Sequence, residues 1–72
     1  MHEETFELDG EFIELNQLLK LCGVVDSGGA GKALVASGAV RVDGVVELRK
    51  TCKIRSGQVV EADGVRIAVR QG

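Results

Sequence analysis

Two Asp-Gly dipeptides constrain this chain more than any other feature. Asp43-Gly44 lies between Val40-Arg41-Val42 and Val45-Val46-Glu47, and Asp63-Gly64 lies between Val59-Val60-Glu61-Ala62 and Val65-Arg66-Ile67-Ala68-Val69. A two-residue hairpin loop needs positive φ at both central positions, which Asp-Gly supplies at low cost, so each site predicts two antiparallel strands in fixed register. The chain has 72 residues. Two such hairpins occupy most of its second half and leave room for one domain, with no space for a membrane bundle or a large buried active site.

The first half reads differently. Thr5-Phe6-Glu7-Leu8 alternates and predicts a short N-terminal strand, with Asp9-Gly10 as a turn. Leu15, Leu18, Leu19 and Cys22 then fall at i, i+3, i+4 and i+7, one face of a helix, with Asn16, Gln17 and Lys20 on the other. Gly23 is a C-terminal stop. Val24-Val25-Asp26 leads to a second helix capped by Ser27 or Asp26, with Ala30, Ala33, Leu34 and Ser37 as a small-residue face and Gly38 as its end. Residues 48–58 are a polar, basic connection ending in the Ser56-Gly57 turn signal. The expected class is α+β: a short N-terminal strand, a tight helix pair, then a small antiparallel sheet of two Asp-Gly hairpins, all in one domain over residues 1–72. Phe6 and Phe12, the only aromatics, are expected in the core.

Several function classes drop out. No apolar run approaches the roughly 18–20 residues of a spanning helix, and the acidic start Met1-His2-Glu3-Glu4 is unlike a secretory signal. A cytoplasmic chain with no membrane partner is expected. There is no Tyr, and the one histidine, His2, falls in an N-terminal segment expected to fray, so no Ser–His or Cys–His pair can be assembled. Cys22 and Cys52 cannot close a zinc site by themselves and read as reduced thiols. The expectation is a non-enzyme without metal or cofactor.

Gly28-Gly29-Ala30-Gly31-Lys32 does not match a nucleotide-binding P-loop. Counting back from Gly31, Asp26 stands where the first Gly belongs, and Ala33 stands where the Ser or Thr belongs. Glycines opening a helix are a poor choice for stability alone. Two accounts stay open: Ser27, Gly28 and Gly29 present bare N–H groups to an anion with Lys32 one turn on, or the glycines allow a close backbone approach.

The net charge of −2 hides an asymmetry. Residues 1–31 carry seven acids and one base, whereas residues 32–55 carry six bases (Lys32, Arg41, Arg49, Lys50, Lys53, Arg55) and two acids. If residues 49–55 are extended, Arg49, Thr51, Lys53 and Arg55 share one face, with Cys52 and Ile54 inward. Such a stripe is either a guarded sheet edge or a phosphate-binding surface. With no exposed aromatic platform expected, any nucleic acid would be held by phosphates and shape.

Leu18-Leu19-Lys20-Leu21, Gly23, Ser27-Gly28-Gly29, Lys32, Gly38-Ala39-Val40-Arg41-Val42-Asp43-Gly44, Glu47, Arg49, Lys53 and Gly57 together resemble the small RNA-binding domain named after ribosomal small-subunit protein four. They resemble its stand-alone bacterial branch, the YbcJ-like proteins, most closely, over about residues 12–69. The resemblance implies an L-shaped motif of two helices and a hairpin that engages structured RNA, often ribosomal or transfer RNA. Carried over by position, Ser27, Gly28, Gly29 and Lys32 match the second-helix start. Arg41, Asp43 and Gly44 match the hairpin, and Arg49, Lys50 and Lys53 match the basic segment, to which the charge pattern adds Arg55 as a candidate contact. The sequence departs from the wider family at Gly28, where an Arg is usual, and at Ile13-Glu14-Leu15, where Arg-Leu-Asp is common. Asp43-Gly44 replaces the common Asn-Gly, and Gly57-Gln58 the common Gly-Asp. A monomer is expected, with ribosomal or RNA-processing proteins as further partners. Two other readings are a protein-interaction module on a ribosomal assembly and a ubiquitin-like sulfur carrier. The carrier needs a Gly-Gly terminus, and the sequence ends Arg70-Gln71-Gly72.

Overall fold

A computed structural model describes all residues, 1–72. In chain order the elements are β1 (His2–Leu8), β2 (Ile13–Glu14), α1 (Leu15–Leu21), α2 (Gly28–Ala36), β3 (Val40–Val42), β4 (Val45–Val46), β5 (Lys53–Ile54), β6 (Val59–Ala62) and β7 (Val65–Gln71). Five strands form one sheet in the order β1-β7-β6-β3-β4, and β2 and β5 form a separate two-stranded ladder.

Both Asp-Gly sites are two-residue hairpin turns. Val42 faces Val45 across Asp43-Gly44, and Ala62 faces Val65 across Asp63-Gly64. Both central residues of each turn have positive φ (51° and 82°, then 49° and 75°), the type I′ geometry that matches strand twist. The N-terminal strand is longer than its Thr5–Leu8 pattern. It runs from His2 and pairs parallel with β7, so the sheet is mixed. His2 is therefore held in the ladder against Val65 and is not a frayed end.

One face of the sheet packs on the helices. Leu8, Val40, Val42, Val60, Ala62, Ile67 and Val69 share a core with Leu15, Leu18, Leu19 and Val35. The leucine stripe of α1 is buried as its spacing predicts, and the helix ends on Gly23 at φ 76°. Val24 N–H donates to Leu19 C=O and Gly23 N–H to Lys20 C=O, a Schellman stop.

The buried face of α2 differs from the expected one. Gly31 and Val35 are buried, whereas Ala33 and Ser37 are exposed. The reason is the approach of α1. A Cβ on Gly31 would lie 2.7 Å from the Asn16 carbonyl oxygen, so the helices cross where α2 has no side chain. Asn16, expected on the solvent face, is covered by that crossing and is 2% exposed. Phe6 is half-buried against the core, but Phe12 is 39% exposed and outside it.

Candidate nucleic-acid interface

The basic segment is anchored through its backbone. The first N–H groups of any helix lack intrahelical partners, and Glu14 makes no side-chain cap for α1. The chain after β4 fills the gap. Leu15 N–H donates to Cys52 C=O at 2.9 Å, and Asn16 N–H to Lys50 C=O at 3.1 Å. On the N-terminal side of α1, Ile13 pairs with Ile54 and Glu14 with Lys53. Ile54 is fully buried, while Lys50, Lys53 and Arg55 remain exposed.

This anchoring bends the segment. Cys52 N–H donates to Arg49 C=O at 3.2 Å, which closes a turn over residues 49–52. The single extended stripe of Arg49, Thr51, Lys53 and Arg55 therefore does not form. Alternation begins only at Cys52, where the sequence reads half-buried, exposed, buried, exposed through Arg55. The turn is what lets the carbonyls of Lys50 and Cys52 meet the helix. Arg49, Thr51, Cys52 and Lys53 line a shallow depression of about 400 Å³ beside it.

The cations differ in their surroundings. Arg49 is committed to Glu47: its Nη2 lies 2.8 Å from Oε1, and its Nε and backbone N–H each donate to Oε2 at 2.9 Å. Those hydrogen bonds hold the Glu47 carboxyl down at about 2, from an ordinary value of 4.5. Lys53 and Arg55 instead lie against the Phe12 ring, Nζ at 4.9 Å and the guanidinium carbon at 5.7 Å from its centre. Both are within cation–π range. The only salt bridges are Arg49–Glu47 and His2–Glu4, so Lys32, Arg41, Lys50, Lys53 and Arg55 have no acidic partner in contact. Phe12 is the part of this surface that sequence reasoning missed. A single aromatic in an acidic stretch gives no signal of the cations that the β2–β5 pairing brings to it.

The first hairpin contributes shape more than contacts. Asp43 Oδ1 accepts from Val59 N–H at 2.9 Å, and Asp43 N–H donates to Val59 C=O at 2.8 Å. Its carboxylate is thus used to fix β3 against β6, and Gly44 completes the turn. Val40 and Val42 point into the core, so the pleat sends Arg41 to the opposite face, away from the helices and beside Glu61 in the register. The structure does not bring Arg41 to the helix side of the sheet with Lys32.

At α2, Ser27 caps the helix: its Oγ accepts from Ala30 N–H at 3.0 Å. The three glycines separate into distinct roles. Gly31 is required by the helix crossing. Gly28 faces the side-chain amides of Gln17 and Asn16, and Gly29 is open. Lys32 is exposed one turn later. The two thiols are free. Burial raises the pKa of Cys22, with Glu4 adding to it, and burial is also the main cause raising Cys52. Neither is activated as a nucleophile. No group of His, Cys, Asp and Glu is clustered to hold a metal, and no helix is long and apolar enough to cross a membrane.

Comparison with known proteins agrees with this architecture. The E. coli (strain K12) protein named "Putative RNA-binding protein YbcJ" is 49% identical over 57 residues, which span 79% of this chain and 81% of that one. The Bacillus subtilis (strain 168) protein named "Probable ribosome maturation protein RlbA" is 39% identical over 57 residues, 79% of this chain and 80% of that one. The solution structure of E. coli YbcJ, described as revealing an αL motif involved in RNA binding, superposes with a TM-score of 0.68 at 41% identity, over 97% of this chain and 87% of that one. The S4 domain profile matches residues 6–70, and this chain belongs to the S4 domain family.

Proposed function

We propose that this protein is a non-catalytic binder of structured RNA. It grips phosphates with Lys50, Lys53 and Arg55 on one side of α1 and the start of α2 on the other. The observation that carries this reading is the backbone clamp between α1 and the Lys50–Cys52 turn. It holds three cations that make no salt bridge on an anchored backbone, so little loop entropy is lost on binding. Arg49 joins them at a discount, because Glu47 already takes its guanidinium. Arg41 works from the flank, and Asp43 and Gly44 act by shaping the hairpin.

The relatives named for RNA binding and ribosome maturation support RNA as the partner, and ribosomal or transfer RNA is the target proposed here. Monomeric, cytoplasmic action beside ribosomal or RNA-processing proteins fits a chain of this size. The sulfur-carrier alternative loses its basis with the S4 family membership. Gly72 N–H is also bonded to Leu8 C=O, which ties it to the end of β1.

The test is binding to an RNA hairpin across a salt series. Replacing Lys50, Lys53 and Arg55 together by Gln should weaken binding and reduce the slope of log K against log salt by about 2. Parent-like affinity and slope in that variant would overturn the site.

A further inference from the structure

We propose that the outer face of the β2–β5 ladder is a seat for one unpaired guanine of the RNA. Phe12 stacks the base, Glu14 reads its edge, and Lys53 and Arg55 take the phosphates that flank it. The seat rests on the RNA reading above and names the nucleotide that this face selects.

The ladder decides which side chains share the face. Ile13 is opposite Ile54, and Glu14 is opposite Lys53. Carried one residue further, that register sets Phe12 opposite Arg55. Ile54 is fully buried and Ile13 packs against the core, so alternation turns Phe12, Glu14, Lys53 and Arg55 the other way. All four are exposed.

The fold explains neither Phe12 nor Glu14. Phe12 is one of two aromatics in the chain, yet it stands outside the core that Phe6 joins. An exposed ring gains little from burial. What it offers is a flat π-face of the kind on which unpaired bases stack. Glu14 is the less expected of the two. The fold offers it two roles, as the cap of α1 and as the ion-pair partner of Lys53, and it takes neither. A carboxylate on a phosphate-binding face also repels the ligand, so its presence asks for a donor on that ligand.

Guanine supplies it. Its Watson–Crick edge carries two adjacent donors, N1–H and the N2 amino group, which match the two oxygens of one carboxylate in a bidentate, charge-assisted pair. Adenine, cytosine and uracil each present a single donor group on that edge. Residues 12 and 14 are roughly 7 Å apart along one strand, a separation that a stacked purine bridges from the ring to its edge. Lys53 Nζ and the Arg55 guanidinium carbon lie 4.9 and 5.7 Å from the ring centre, which keeps two cations beside the stacked base for its phosphates.

The experiment titrates the full chain with five RNAs at one salt concentration: a fully paired duplex, and the same duplex with one unpaired G, A, C or U. The unpaired guanine should bind about tenfold tighter than the paired duplex, the worth of one stacked and bidentately read base, and about fivefold tighter than the other three. Phe12→Leu should bring the guanine RNA down to the duplex level, while costing the paired duplex only the two- to fivefold that comes from holding the two cations. Glu14→Gln should act in opposite directions on the two RNAs. Removing an anion from a basic face should tighten the paired duplex by up to about twofold. The guanine preference should vanish, because the amide sets an N–H₂ against one of the base's donors. Its melting temperature should match the parent's, since Glu14 makes no side-chain cap.

Equal affinity of the parent for all five RNAs overturns the seat and leaves the basic face standing. A preference for an unpaired base of any identity, or a guanine preference that survives Glu14→Gln, also overturns it. If none of the five binds, the RNA reading itself falls and the seat falls with it.

Discussion

The outer face of the large sheet and the basic segment hold similar numbers of cations in opposite electrostatic settings. Across the sheet, the register sets Arg41 beside Glu61, Glu61 beside Arg66 and Arg66 beside Glu3, with Glu7 beside Arg70. Signs alternate along the row, as stable cross-strand pairs require. Lys50 and Arg55 have no acid opposite them in a ladder, and Lys53, which faces Glu14 in the β2–β5 ladder, makes no salt bridge with it. Their backbone is fixed by hydrogen bonds to α1 and by Ile54, so their charges are not needed to hold the fold. Arg66 and Arg70 sit among register-matched acids of the sheet, whereas the anchored segment has one such acid, Glu14, for three cations, which leaves charge on it for a ligand. Of the acids of the first third, those of β1 lie at the sheet edge farthest from β3 and β4, while Glu14 faces Lys53 across the β2–β5 ladder without a salt bridge.

The largest expected contrast follows from this. Arg66→Gln with Arg70→Gln removes two cations, yet it should change the salt slope of RNA binding by less than about 0.5, because those residues meet no phosphate. The Lys50/Lys53/Arg55 variant should change it several times more. Salt titrations of the two variants in parallel check the comparison, and equal slopes for both would break it by reducing the effect to net charge alone.

The two hairpins of the sheet were legible in the sequence, because Asp-Gly between alternating valines fixes register at short range, whereas the parallel β1–β7 pairing that sets Glu3 and Glu7 beside Arg66 and Arg70 joins the two ends of the chain and left no local signal. The helix pair was legible in part. Leu15, Leu18 and Leu19 announce the buried stripe of α1, but Gly31 carries no side chain, so hydropathy could not show that α2 turns it toward Asn16. The β2–β5 ladder is two residues long on each side and leaves almost no pattern. It nevertheless decides that residues 49–52 turn and that Phe12 meets Lys53 and Arg55. Charge bias located the basic segment, whereas the division between paired Arg49 and its unpaired neighbours needed three-dimensional contacts.

A smaller effect is expected at Phe12. Its ring holds Lys53 and Arg55 beside one another, where two exposed cations would otherwise spread apart. Phe12→Leu keeps an apolar side chain at an exposed position and removes the ring quadrupole. Stability should barely change, while RNA affinity should fall by about two- to fivefold, matching a cation–π contribution of roughly 0.5–1 kcal/mol at exposed sites. Calorimetry of unfolding and an RNA titration on the same sample separate the two. A large drop in melting temperature with unchanged affinity would make Phe12 a packing residue and nothing more.

The smallest effect concerns the one cation of the segment that has a partner. Arg49 holds the Glu47 carboxyl at about 2 in the folded protein, below its ordinary 4.5. A depressed carboxyl binds fewer protons in the folded state than in the unfolded one between those values. Its contribution to stability is therefore complete above about pH 4.5 and is lost as pH falls toward 2. The pair is exposed on the Arg49 side, so the loss should be a shallow decline, and Glu47→Gln should remove it. The same substitution frees the guanidinium at neutral pH. If Arg49 differs from Lys50 and Lys53 only in having a partner, Glu47→Gln should tighten RNA binding about two- to threefold and steepen the salt slope by up to about 0.9. Weaker binding would mean the opposite: Glu47 aims Arg49 at the RNA, and pairing on this surface is itself part of the site.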